Sequence, residues 1–273
     1  MGLRIDERIA SRRTALSPQE RRAAETLIEH LDDLATYRAA ELADLAGVSK
    51  ATMSRLFRSL GYADFDEVRE DLRALRATGE PRQTDAPASL PAYARAEAAA
   101  VSVALSSPAI GDAVAAIASA RRVLVVGWRN SHAVALHLRQ QLAQAREDVR
   151  LAPAPGQVLG EELADLADGD TVVVLGFRRR PAGFAAFVTE AARTGARVVL
   201  VGDPTAAEHA RRAGPAGIWL ECPVATEIAF DSYAAAMSLV AVLADGVLTA
   251  RGPRGRARVT GISTAYVALR EVE

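Results

Sequence analysis

Residues 39–62, AAELADLAGVSKATMSRLFRSLGY (Ala39–Tyr62), decide how the first part of the chain folds. Two helices that cross at a tight turn need a small residue at their contact, a glycine where the chain bends and apolar residues at the inward positions. Ala43 is the small residue, Gly47 stands at the turn four positions later, and Leu42, Ala46 and Val48 flank it. Met53 and Leu56 form the inward stripe of the second helix, and Phe57 and Leu60 extend it at helical spacing. Ser49 reads as the cap of that helix, and Lys50, Thr52, Ser54, Arg55 and Arg58 read as facing outward, with no acid between Lys50 and Ala63. Such a helix fits the major groove of duplex DNA, which makes Ser49, Lys50, Thr52, Ser54, Arg55 and Arg58 candidate DNA-binding residues. The bland alternative is a helical hairpin with a solvated charged face.

Working outward, residues 17–76 keep a helical rhythm, and Ser17-Pro18-Gln19-Glu20 supplies a cap with proline at the first helical position. Residues 77–91, ATGEPRQTDAPASLP, combine three prolines, a glycine and small polar residues, the composition of an exposed linker. A helix is expected from Ala92 to Leu105. Apolar runs then alternate with helical segments: Arg122–Val126, Val149–Ala152, Thr171–Leu175, Arg197–Val201 and Ile218–Leu220. That alternation predicts a five-stranded parallel sheet between helices, so the fold class is α + α/β. The expected divisions are 1–77, a helix-turn-helix domain; 78–91, a linker; 92–250, an α/β domain; and 251–273, a C-terminal tail.

The 273 residues carry a formal net charge of −1, so attraction to phosphates has to come from local patches. Residues 1–77 hold 13 basic and 14 acidic side chains, but the acids cluster away from the candidate reading face, as in Asp64-Phe65-Asp66-Glu67. Cys222 is the single cysteine, so no disulfide forms within the chain. The charged amino terminus lacks the apolar core of a signal peptide and no apolar run reaches the ~18 residues of a membrane span, so the expectation is a cytoplasmic protein with no membrane partner. Four histidines and one cysteine show no metal-ligand spacing, His132 and His137 being five apart, and no dinucleotide fingerprint occurs. Neither a metal nor a cofactor is expected, and Trp128 and Trp219 read as packing residues.

The segment Val48–Tyr62 followed by ADFDEVREDLRAL resembles the amino-terminal domain of the RpiR/MurR family of bacterial transcriptional regulators. The second region resembles their sugar isomerase (SIS) domain, which implies a three-layer α/β/α sandwich for residues 92–250. The resemblance implies a regulator that binds a double-stranded DNA operator as a homodimer or homotetramer and senses a phosphosugar; the arginines described next widen that expectation to a small anionic metabolite, a carboxylate-bearing compound included. A sugar-phosphate isomerase or lyase on the same fold is the alternative; no catalytic residues are assigned. Family members hold phosphate with two loops after parallel strands. The first resembles Gly127-Trp128-Arg129-Asn130-Ser131, with His132 beside it. The second is normally serine-rich, yet here it reads Gly176-Phe177-Arg178-Arg179-Arg180-Pro181, guanidinium groups in place of hydroxyls. Arginine offers a planar fork for phosphate or carboxylate, while the structural alternative for an arginine run in a loop is a solvated surface or a subunit contact. The candidate effector residues are therefore Gly127, Arg129, Asn130, Ser131, His132, Gly176, Arg178, Arg179, Arg180 and, after the last strand, Glu227. Asp203-Pro204-Thr205 resembles a further turn at the pocket's border, or a plain helix cap.

Overall fold

The computed structural model describes residues 5–29, 37–70, 89–226 and 228–271. The chain divides into two compact units, Met1–Glu80 and Pro81–Glu273.

Among the described residues, the first unit consists of helices and the turns between them. Helices α1 (Ile5–Arg12), α2 (Pro18–Glu29), α3 (Ala39–Leu45) and α4 (Lys50–Ser59) surround one apolar core, and residues 65–70 are helical as well. The Ser17 cap of α2 is reciprocal: Ser17 donates to Glu20 from its backbone N–H at 3.0 Å and its hydroxyl at 2.6 Å, while Glu20 N–H returns to Ser17 Oγ at 3.3 Å. These bonds hold the Glu20 carboxyl below its ordinary pKa. Helix α1 goes beyond the sequence expectation, with Ile5 and Ile9, one turn apart, both buried in the core.

The second unit is a three-layer α/β/α sandwich. Strands β1 (Val123–Gly127), β2 (Val149–Ala152), β3 (Thr171–Gly176), β4 (Arg197–Gly202) and β5 (Ile218–Glu221) pair in parallel in the order β2-β1-β3-β4-β5. Side chains alternate between the two faces. Val123, Val125, Val173, Leu175, Val199 and Val201 join a core with helices Ile110–Ser119, Asn130–Ala145 and the long C-terminal helix Ala234–Leu269. Leu124, Val126, Val172, Val174, Val198 and Leu200 join another with helix Phe184–Arg193. Burial on both faces explains why the strands read as unbroken apolar runs. The chain changes direction between β1 and β3, and their carboxyl ends therefore flank the crevice where ligands bind in open α/β sheets.

Three expectations need correction. Residues 78–88 of the expected linker lie outside the described residues, and its last two belong to helix Leu90–Leu105, because proline is tolerated in a first turn whose N–H needs no helical partner. The expected tail at 251–273 is helical as far as Leu269. Gly252 breaks that helix at φ 53°, and Pro253 then restarts it. Arg251, just before the break, pairs with Glu147 at 2.5 Å, and Arg258 Nε donates to the Ala143 carbonyl at 2.7 Å, fastening the continuation to helix Asn130–Ala145. Helix Ala234–Leu269 is also long and apolar enough to cross a membrane, contrary to the expectation of no such segment. Its apolar residues Ala235, Ala236, Leu239, Val240, Leu243, Ala244 and Val247 are instead buried in the sandwich core.

Arg146 is the largest wholly buried side chain among the described residues, and its guanidinium donates to the carbonyls of Ile117 at 2.5 Å, Glu147 at 2.9 Å and Arg121 at 3.1 Å. Burial holds its pKa below the ordinary arginine value. Arg146→Ala strips those carbonyls of their donors and is expected to cost about 3 kcal/mol in urea unfolding, whereas a loss under about 1 kcal/mol would assign the contacts no weight. Burial, with Asp203 nearby, pushes the Cys222 thiol up to about 12. At pH 8 a thiol reagent should label the native protein barely and the urea-unfolded protein fully; rapid native labelling would contradict a closed core around this residue.

Candidate functional site

The first candidate site is the reading helix. Gly47 takes φ 61° at the turn between α3 and α4, a conformation that favours glycine, although a side chain there would meet no neighbour. Ser49 caps α4, its hydroxyl accepting from Thr52 N–H at 3.1 Å. Ser49, Lys50, Ser54, Arg55 and Arg58 are exposed along one helix. Thr52 does not share that face. It is 6% exposed, its hydroxyl lies 2.9 Å from Ser49 Oγ, and it accepts from Arg55 Nη2 at 3.3 Å. The third residue after a cap turns back toward the capping side chain, so Thr52 positions Ser49 and Arg55 rather than facing a groove.

Three arginines outside the expected set lie beside this helix. Arg8 donates to the Leu60 carbonyl at 3.2 Å, and Arg12 donates to the Ser59 carbonyl. Both satisfy acceptors at the end of α4 and put positive charge there, where the helix dipole favours it. Arg38, exposed at the start of α3, shares with Ser54, Arg58 and Arg69 a cleft of about 480 Å³ that Asp64 and Asp66 also line. The sequence carries a faint signal for the first two, since Arg8 and Arg12 are one turn apart.

The second candidate site lies at the carboxyl ends of the strands in the SIS-like unit. Gly127 closes β1 in a space where a side chain cannot fit: an added Cβ would come 2.7 Å from the Ser131 carbonyl oxygen. Arg129, exposed, follows at φ 52°. Helix Asn130–Ala145 therefore starts tightly against the strand, with the amides of its first turn turned to the loop. His132 Nδ1 lies 3.1 Å from the Gly127 carbonyl; since a carbonyl only accepts, Nδ1 carries the proton and the ring braces the loop. Ser131, 4% exposed, accepts from Phe177 N–H at 3.2 Å and so joins the first loop to the second.

In the second loop the space that a Gly176 Cβ would need is occupied by the Phe184 ring. The three arginines then diverge. Arg178 is 7% exposed, takes φ 36°, donates its backbone N–H to Asp203 Oδ1 at 2.9 Å and pairs through Nη1 with Asp231 Oδ1 at 3.3 Å. Arg180 spends four N–H groups inside the protein. Its Nη1 donates to the Gly176 carbonyl at 3.1 Å and Asp203 Oδ1 at 2.8 Å, and its Nη2 to the Thr205 carbonyl at 3.2 Å and hydroxyl at 2.8 Å. A guanidinium has five such donors, so Arg180 is a tie between loops with little left for a ligand. Arg179 is half-buried, with a buried Nε that has no hydrogen-bond partner among the described residues.

Asp203 is the acceptor on which these contacts converge. It also accepts from Thr205 Oγ1 at 2.6 Å and Thr205 N–H at 3.3 Å, so Asp203-Pro204-Thr205 is a capping turn that borders the site. From the loop before the last helix, Tyr233 hydrogen-bonds to Asn130 and stands edge-on to Phe177 with ring centroids 5.5 Å apart. Burial, and then Asp231, raise the Tyr233 pKa. Glu227 lies outside the described residues. Trp128 packs edge-on against Phe184 and Phe187, centroids 5.6 and 5.4 Å away, as a packing residue should. Asp231 and Tyr233 were not legible in the sequence, where FDSY reads as an ordinary approach to a helix.

Residues 3–78 match the family model of the helix-turn-helix domain, rpiR family, and residues 116–245 match that of the SIS domain. The HTH-type transcriptional regulator HexR of Pseudomonas aeruginosa is 27% identical over 259 residues, 90% of each chain. Among solved structures, the Vibrio vulnificus NanR protein complexed with ManNAc-6P aligns with 97% of this chain and 98% of its own at a TM-score of 0.59 and 17% identity. The sugar isomerase domain of an RpiR transcription factor from Sphaerobacter thermophilus aligns with 64% of this chain and 98% of its own, at a TM-score of 0.57 and 23% identity. Carrying an rpiR-family helix-turn-helix and an SIS domain in that order, the chain belongs to the RpiR/MurR family of DNA-binding transcriptional regulators.

Proposed function

We propose that this regulator senses a small anionic metabolite, a phosphosugar or a carboxylate-bearing compound, between the loops at the carboxyl ends of β1 and β3, and that it works in the cytoplasm as a homodimer or homotetramer on a double-stranded operator. The observation that carries the reading is the convergence of four loops at the topological switch point, with Arg129 exposed and Arg179 half-buried at its rim. The Vibrio vulnificus relative is complexed with ManNAc-6P, which favours a sugar phosphate as the first compound class to try. A reading helix has no use in an isomerase or lyase, so the regulator is preferred over the enzyme. The effector acts by binding the operator-competent state and its alternative unequally.

On the DNA side, Lys50→Ala/Arg55→Ala should weaken binding to the protein's own upstream region about tenfold or more at fixed salt, and reduce the slope of log affinity against log salt by about one for each phosphate that is no longer neutralised. Thr52→Val should reduce affinity less than Ser54→Ala or Arg55→Ala. Retained affinity in the Lys50/Arg55 variant would remove α4 from the groove.

On the effector side, thermal shift of wild type and of Arg129→Ala/Arg179→Ala is measured against a panel of sugar phosphates and organic acids. A ligand at about 100 times its Kd stabilises by about 2.7 kcal/mol, a shift of several degrees. The variant should lose most of that shift. Equal stabilisation of both proteins would exclude these arginines from the site.

A further inference from the structure

Two buried arginine–aspartate pairs hold the second loop, and they differ in kind. Arg180 and Asp203 meet at 2.8 Å, with side chains 9% and 5% exposed, inside a net that uses four of the five guanidinium N–H groups. That pair fixes the backbone. Arg178 and Asp231 meet at 3.3 Å, longer than the ~2.7–2.9 Å of a strong charge-assisted bond, and the Asp231 side chain is 20% exposed against 8% for Arg178. An aspartate that keeps contact with water is rehydrated when it leaves, so this exchange avoids the large penalty of stranding a buried charge. The Arg178 backbone is independently held by the bond from its N–H to Asp203. Removing Asp231 therefore leaves the Arg178 backbone in place.

Asp231 belongs to the stretch between β5 and helix Ala234–Leu269, and two residues on, Tyr233 bonds to Asn130 of the first loop. Its carboxylate thus ties an arginine of the second loop to the final one. We propose that Asp231 is a specificity-determining residue of the effector site: its carboxylate is a built-in occupant of Arg178, and a ligand is accepted when its anionic group displaces Asp231 from that guanidinium. The inference rests on the effector site proposed above. It gives a reason for arginine at a position where hydroxyls would serve phosphate alone: an internal carboxylate competes, so weak anions are turned away and only a group that also gains from Arg179, Arg129 and the amides of the first helical turn exchanges.

The test is calorimetric titration of the full-length protein with inorganic phosphate, using wild type, Asp231→Asn, Asp231→Glu and Asp231→Asn/Arg178→Ala. Asp231→Asn should bind phosphate about tenfold tighter than wild type, Asp231→Glu should stay near wild type, and the double variant should lose the gain. Should the amide disturb the loop, Asp231→Ser is read in the same way. Equal affinity of folded wild type and Asp231→Asn overturns the role of Asp231, while the effector site still stands if the Arg129/Arg179 variant has lost its ligand-induced stabilisation. A gain that survives Arg178→Ala means that the anion does not bind at this guanidinium, which overturns the exchange.

Discussion

The second unit depends on one constraint: a buried carboxylate must be fully paired, and Asp203 meets it by accepting from three directions. Its partners are the backbone of Arg178, the guanidinium of Arg180 and the turn at Thr205. Those bonds clamp the loop after β3 to the loop after β4. An unpaired charge at 4% exposure would be prohibitive, so arginine and aspartate are coupled choices. Exchanging the expected hydroxyls for guanidiniums therefore has a structural cause as well as a chemical one. Arg180 neutralises Asp203, and through Asp203 holds Arg178 at a positive φ that a side chain rarely adopts.

The reading helix obeys the same rule on a smaller scale. The ends of α4 carry backbone groups without helical partners, and side chains supply them: Ser49 at the start, Arg8 and Arg12 at the finish. Charged and polar residues near a candidate DNA surface thus divide into those spent on the fold and those turned outward. Thr52 falls on the spent side, bonded to Ser49 and Arg55, whereas Lys50, Ser54, Arg55 and Arg58 remain on the outside.

Periodicity made the architecture legible. Apolar runs ending in Gly127, Gly176 and Gly202 identify strands buried on both faces, and the structure shows why glycine ends each: a Cβ there would collide with the Ser131 carbonyl, the Phe184 ring and Ala206 respectively. Local caps were legible too, because Ser17 and Ser49 act within four residues. Pairing across the chain was not. Arg180 and Asp203 are 23 residues apart and Arg178 and Asp231 are 53 apart, and nothing in a run of three arginines says which carboxylate each will meet. The helical continuation after Gly252-Pro253 was not legible either: glycine breaks the helix there, yet proline is also a good first residue for the next one, and Arg258 secures the restart.

Two long helices begin at the loops of the second candidate site. Helix Asn130–Ala145 starts at the first loop, and helix Ala234–Leu269 starts one residue after Tyr233, which is bonded to Asn130. They pack together through the core that contains Leu138, Leu142, Leu239 and Leu243, and are fastened again further along by Arg251 with Glu147 and Arg258 with Ala143. A close-packed pair tied at both ends resists internal repacking, so a backbone displacement beside Asp231 is passed to the helix starts. Where anion exchange moves the backbone as well as the Asp231 side chain, it breaks the Tyr233–Asn130 bond or shifts the helix starts together, and small shifts of packed helices are one way in which effector contacts reach distant surfaces. Anion exchange at Arg178 would therefore act on a helix that runs through the sandwich core, rather than on a loose surface loop.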